Sequence, residues 1–151
     1  MSLDHDFFLV SADEHQPSDY ARFIGNRDAL HVHDDLLRYM SDALAWVPTL
    51  NPAKNEHGTG LNLYGPTVIL ANGAPLAESV FRAWAQLFRL GPDELVLTGP
   101  WTTIEGDPRP GHYSQLSFPR APVVNALERL ADDCKRVGDS AGSCFLLHIG
   151  I

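Results

Sequence analysis

Seven histidines in 151 residues are the part of this chain most open to a chemical reading. Two of them, His31 and His33, stand two apart and run straight into Asp34 and Asp35. On a strand, residues two apart share a face. Both imidazoles would then offer nitrogen to one Zn²⁺, with His57 or His112 from a glycine-bearing loop as third ligand and an open fourth position for substrate. The set His31, His33, His57 and His112 defines a metal-dependent enzyme or small-ligand reading. The spacing matches no zinc signature, and the competing reading places these histidines on the polar approach to a helix. The expectation is no metal and no other cofactor.

His148 interrupts the apolar run Cys144 to Ile151. It reads as an enclosed, neutral imidazole bonded to backbone, with a catalytic base as the alternative. Nucleophilic chemistry has weak support. Ser114 near His112, Ser143 beside Cys144, and Cys134 stand in no nucleophile elbow or cysteine-protease context. Gly58, Gly60 and Gly65 lack the Gly-Lys-Ser/Thr ending of a phosphate loop and the strand-then-helix setting of a dinucleotide fingerprint. The carboxylate pairs Asp13-Glu14, Asp34-Asp35, Asp93-Glu94 and Asp132-Asp133 fall at element starts or on solvent faces, where acids complement the positive end of a helix dipole. Trp84 suits a helical core stripe and Trp46 sits late in a helix. Trp101, in a Pro/Gly-rich loop, is the tryptophan suited to contacting a partner.

Phe7 to Val10 reads as a buried strand. Leu36, Leu37, Met40, Leu44 and Val47 recur at helical spacing behind Asp34 and Asp35, and Pro48 ends that helix. Pro48 to Gly60, with two Pro, two Gly and two Asn, reads as a loop. A strand from Leu61 to Leu70, interrupted at Gly65-Pro66, closes at Asn72-Gly73. A helix follows from Pro75 to Gly91, its stripe Leu76, Val80, Trp84, Leu87 and Phe88 widened by Phe81. Glu94 to Thr98 and Tyr113 to Phe118 alternate as a strand pair around the long loop Gly99 to Gly111. Val123, Leu127, Leu130, Ala131, Cys134 and Val137 mark a last helix stopped by Gly138, and the apolar C-terminal run predicts a strand deep in the sheet.

The order β-α-β-α-β-β-α-β predicts an α+β fold. It consists of a mostly antiparallel sheet of about five strands with helices packed on one face, in a single domain over residues 1–151. A flavodoxin-like parallel sheet is the alternative.

With 44% hydrophobic residues, the chain has enough apolar surface to fold as one unit. Eleven Lys+Arg against 19 Asp+Glu give a formal charge of -8. The basic residues form no run, which argues against nucleic acid as partner and suits a basic protein instead. No segment reaches the roughly 20 apolar residues of a membrane span, and the acids in MSLDHDFFLVSADEH do not suit a signal peptide. The expectation is a cytoplasmic protein with no membrane partner, its two cysteines reduced and structural.

Tyr64 to Ile69, the aromatic helix through Trp84 and Phe88, Leu97-Thr98-Gly99 and Leu147 to Ile151 together resemble small bacterial immunity proteins of polymorphic-toxin and contact-dependent growth-inhibition systems. The likeness spans residues 61–151. It implies a cytoplasmic, non-enzymatic protein that binds one cognate toxin domain tightly, with a basic nuclease suited to the acidic charge. No contact residue carries over from those families. On physical grounds Trp101, Glu105, Asp107 and His112 in one loop, and Glu56 and His57 in the other, are the candidate partner-binding residues. A third reading is an assembly subunit, for instance a homodimer, associating through Ile151 and an exposed strand edge near Pro66.

Overall fold

The fold is described for residues 3–151 by a computed structural model. Strand β1 (Asp4–Ser11) pairs with β2 (Leu30–His33) on one side and with the C-terminal strand β8 (Cys144–Ile149) on the other. The remaining strands are β3 (Pro48–Asn51), β4 (Glu56–Thr59) and β5 (Pro66–Ile69). They complete a six-stranded sheet in the order β2-β1-β8-β5-β3-β4, with every neighbouring pair antiparallel. The α+β class and the antiparallel sheet match expectation, and β8 lies inside the sheet. Its burial on both faces explains why the C-terminal run is apolar without alternation.

Four helices cover one face: α1 (Asp34–Tyr39), α2 (Ser41–Leu44), α3 (Ala74–Arg89) and α4 (Arg120–Asp139). Phe7, Leu146 and Val32 of the sheet meet Leu37, Met40, Phe81, Leu127 and Leu130 there. The opposite face carries a smaller cluster, Phe8, Val10, Val68, Phe145 and Leu147, capped by Tyr20 and Phe23 from a 3-10 turn at Pro17–Phe23. The other two strands, β6 (Glu94–Thr102) and β7 (His112–Pro119), form a separate two-stranded hairpin.

Several expectations are corrected. The single helix from Asp34 to Val47 is two, broken at Met40 (φ -93°, ψ 0°). The loop Pro48 to Gly60 contains the β3–β4 hairpin. Its turn is set by the Asn51 side chain, which accepts from the Ala53 and Lys54 amides, and by Asn55 in the left-handed region. The sheet therefore has six strands where about five were expected. The buried stripe of α3 is Ala74, Ala77, Val80, Phe81, Ala85 and Phe88, leaving Leu76 and Leu87 exposed. Small alanines win that face because α3 packs closely along α4. The strand at Pro66 is flanked by β8 and β3, so it offers no free edge for self-association.

Candidate functional site

The β6–β7 hairpin is rooted in the core and free at its tip. At its base Leu95 pairs with Phe118 and Leu97 with Leu116. Leu95, Leu97 and Phe118 pack into the main core, and the His33 ring meets Phe118 edge-on at 5.6 Å. Arg120 fastens the root by bonding the Gly91 carbonyl and the Asp93 carboxylate. Beyond Thr98 the register shifts by one residue at Gly99-Pro100, a bulge that increases the local twist.

Past the bulge, Trp101 and Tyr113 form a cross-strand pair with ring centroids 5.1 Å apart and planes at 82°, the edge-to-face arrangement that ring quadrupoles favour. Both are open to solvent, at 54% and 63% exposure, and Ile104, further along the arm, is exposed as well. Gly111 makes this possible: a Cβ there would stand 2.5 Å from Trp101 Nε1 and 2.6 Å from the Thr102 carbonyl. Only glycine lets the indole lie against the backbone.

Four sequence-predicted contact residues, Trp101, Glu105, Asp107 and His112, thus share one arm. Asp107, His112, Ile104, Arg109 and Pro110 surround a concavity of about 580 Å³ at its tip. Glu105 is exposed. Asp107 is engaged within the arm, where its carboxylate accepts from the Arg109 amide, Nε and guanidinium nitrogen at 2.6–3.0 Å. The hydrogen bonds from Arg109 hold it below the usual carboxylate range. Glu56 and His57 lie on β4 at the far edge of the six-stranded sheet, exposed, and line a different concavity with Thr49, Asn51 and Thr67.

The four histidines of the metal reading are not brought together. His31 on β2 bonds Asp6 at 2.7 Å. His33 caps α1 through Nδ1, which accepts from the Asp35 amide. His57 is on β4 and His112 on β7. Among the described residues no group of three or more His, Cys, Asp or Glu is placed to hold a metal ion.

What the sequence did not announce is a buried polar chain beneath the arm's side of the sheet. His5 on β1 and His148 on β8 are both fully buried, their rings stacked with centroids 5.0 Å apart. His5 Nε2 lies 2.9 Å from Asp34 Oδ1, and His5 Nδ1 lies 2.8 Å from His148 Nε2. Asp34 also accepts from Arg38 Nε at 2.7 Å, and Arg38 donates to the Tyr64 hydroxyl at 2.9 Å. Burial alone would raise the Asp34 pKa, yet the hydrogen bonds from His5 and Arg38 hold it below its ordinary value. Burial, and then the charge on His5, push the His148 pKa down to about 3.

An ionised Asp34 accepts a hydrogen bond from His5 Nε2, and a single proton lies between His5 Nδ1 and His148 Nε2. His148 was expected to bond backbone; it bonds another imidazole, and its Nδ1 has no hydrogen-bond partner among the described residues. With both rings sealed from solvent, the chain serves to lock β1, β8 and α1 together.

Cys134 is buried on α4, its thiol pKa pushed up to about 12 by burial, and Cys144 is half-buried; both are free. Among the described residues no helix is long and apolar enough to cross a membrane. A scan against protein-family models finds none that matches. Searches of curated proteins and of solved structures likewise return no match.

Proposed function

We propose that this chain is a non-enzymatic binding protein of the immunity type, which neutralises a basic toxin domain by docking it on the β6–β7 arm. The observation that carries this reading is the exposed Trp101–Tyr113 pair on a hairpin that stands outside the main sheet. Large aromatic side chains presented to water are the commonest anchors of protein interfaces. An aromatic side chain buries about 150–250 Å² in full, and a little over half of that is still open at Trp101 and Tyr113. Two rings and Ile104 therefore supply roughly a third of the about 800 Å² per partner of a standard interface. The charge of -8 and the free carboxylate of Glu105 suit a cationic partner, whose encounter they would accelerate.

The test is protection from toxicity. A toxin domain that co-purifies with this chain should arrest growth when expressed alone, and co-expression of the chain should restore growth. The double variant Trp101→Ala with Tyr113→Ala should remain folded and fail to restore it. If that variant protects as well as the wild type, the interface lies elsewhere. If no growth-arresting partner co-purifies, the immunity reading is wrong.

A further inference from the structure

Strand β1 loses its outer neighbour halfway along. Its pairing with β2 runs only from Asp4↔His33 to Phe7↔Leu30, whereas its pairing with β8 continues to Ser11↔Cys144. The cause is local. The Asn26 side chain accepts from the Asp28 amide, and Gly25 adopts φ +76°, so the chain turns away before it reaches the β1 edge. Which groups are left unpaired follows from the alternation of the antiparallel ladder. The Ala12 amide bonds the Ser143 carbonyl on the β8 side, and the Leu3 carbonyl accepts from Asp34 on the β2 side. Even-numbered residues of β1 therefore address β8, and odd-numbered ones face outward. The N–H and C=O of Leu9 and the N–H of Ser11 point outward with no backbone partner among the described residues, while the Ser11 carbonyl is taken by the amides of Glu14 and His15.

Phe7, Phe8 and Leu9 of this strand form the floor of a cleft of about 710 Å³, and Ser11 lies just beyond it along the edge. One wall is α4 and the other is the segment of Phe23, Asn26 and Asp28. On the α4 wall, Glu128 and Asp132 are occupied by Arg89 and Arg82. Arg129 and Arg136, seven residues apart on α4, form no ion pair among the described residues; Asp133, which also lines the cleft, lies between them in sequence and feels both charges. On the other wall Phe23 packs against Phe8.

We propose that the cleft binds an extended peptide of a partner protein, which adds to the free edge of β1 as a strand with acidic side chains toward α4 and apolar ones toward Phe23. The main-chain groups of Leu9 and Ser11 supply ladder bonds of the kind used whenever a peptide augments a sheet edge. Pleating supplies the pattern. Residues 7 and 9 of β1 face the helices and residues 8 and 10 face the other layer, so successive side chains of an added strand meet the two walls alternately. The two unpaired guanidiniums favour carboxylates on one wall, and Phe23 favours an apolar residue on the other. This site is separate from the arm and stands whatever the arm binds.

The probe is an acetylated, amidated hexapeptide of alternating valine and glutamate, followed by amide NMR of the full chain. Expected are shifts at Leu9, Ser11 and α4, slowed exchange of the Leu9 and Ser11 amides, and at least tenfold weaker binding by Arg129→Gln with Arg136→Gln. Both positions are exposed and glutamine is a good helix former, so this variant keeps its fold. A valine–lysine hexapeptide should bind at least tenfold more weakly, and N-methylation of alternate valines or glutamates should abolish binding in one of the two phases. Absence of shifts at millimolar peptide would overturn the proposal. So would equal binding by the lysine peptide or by both N-methylated peptides, since either result denies strand addition with acid recognition.

Discussion

His148 Nε2 and His5 Nδ1 share a hydrogen bond across 2.8 Å, joining two strands that are far apart in sequence and adjacent in the sheet. The bond is one link in a sequence of donors and acceptors that runs from β8 through β1 to Asp34, Arg38 and Tyr64. Each polar group in it is satisfied by the next until Nδ1 of His148, which has no hydrogen-bond partner among the described residues. A neutral His148 is tolerated there; a protonated one is not.

That asymmetry makes stability depend on pH. The unfolded chain protonates His148 near 6.5, whereas the folded chain holds it neutral down to about 3. Across that interval the unfolded state binds more protons, so the His148 contribution is intact above 6.5 and is lost as pH falls, by up to about 1.4 kcal/mol per pH unit. Chemical denaturation at pH 7.5, 5.5 and 4.5 should show this slope, and His148→Gln should flatten it relative to wild type. Parallel pH profiles for the two proteins would show that His148 is not the group responsible.

Asp34 and Arg38 share an ion pair but not a setting: the carboxylate is buried and the guanidinium side chain is 40% exposed. Asp34→Ala leaves His5 and Arg38 without their acceptor and should cost about 3–5 kcal/mol, the range for breaking a buried pair. Arg38→Ala, with water free to replace it, should cost about 1 kcal/mol or less. Urea midpoints of the two variants measure the difference, and equal losses would contradict it.

On the arm, folding and binding should separate. Trp101→Ala and Tyr113→Ala each remove an exposed ring and should shift stability by no more than about 1 kcal/mol. Each should weaken partner binding by at least about thirtyfold, the equivalent of about 2 kcal/mol at an anchor residue. Phe118→Ala, at the packed root, should do the reverse. Thermal melts alongside titration calorimetry distinguish the two patterns.

The charge at the tip is set by the Asp107–Arg109 pair. Glu105→Gln removes a free negative charge and should slow association with a basic partner. Arg109→Gln releases the Asp107 carboxylate and should speed it, and both effects should shrink in salt. Stopped-flow association rates at two ionic strengths give the answer; identical rates for all three proteins would take the tip out of the encounter.

The two thiols should react unequally. Cys134 is buried with its pKa pushed up to about 12, while Cys144 is half-buried. Ellman's reagent on the folded protein should modify Cys144 alone, and Cys134 should react only after unfolding. Rapid native modification of both would mean that α4 opens readily.

The residues by themselves determined the α+β class, the C-terminal strand inside the sheet, the last two helices and the hairpin from Glu94 to Phe118. Periodicity is a local property, and apolar residues at spacings of two or four have few ways to be buried. The candidate arm was legible only in part: alternation marked its two strands, but Trp101 and His112 were assigned to the loop, whereas β6 runs on to Thr102 and β7 starts at His112, pairing Trp101 with Tyr113. The β3–β4 hairpin was hidden because its strands are four residues long, with β4 exposed throughout, and short elements take their conformation from the neighbours they join. Only tertiary structure decided which exposed leucines of α3 stayed in water, that His31, His33, His57 and His112 would remain apart, and that His5, Asp34 and His148 would meet. Side-chain hydrogen bonds between residues 29 and 143 positions apart leave no periodic trace in a sequence, because they are created by the packing of strands and helices and by nothing nearer along the chain.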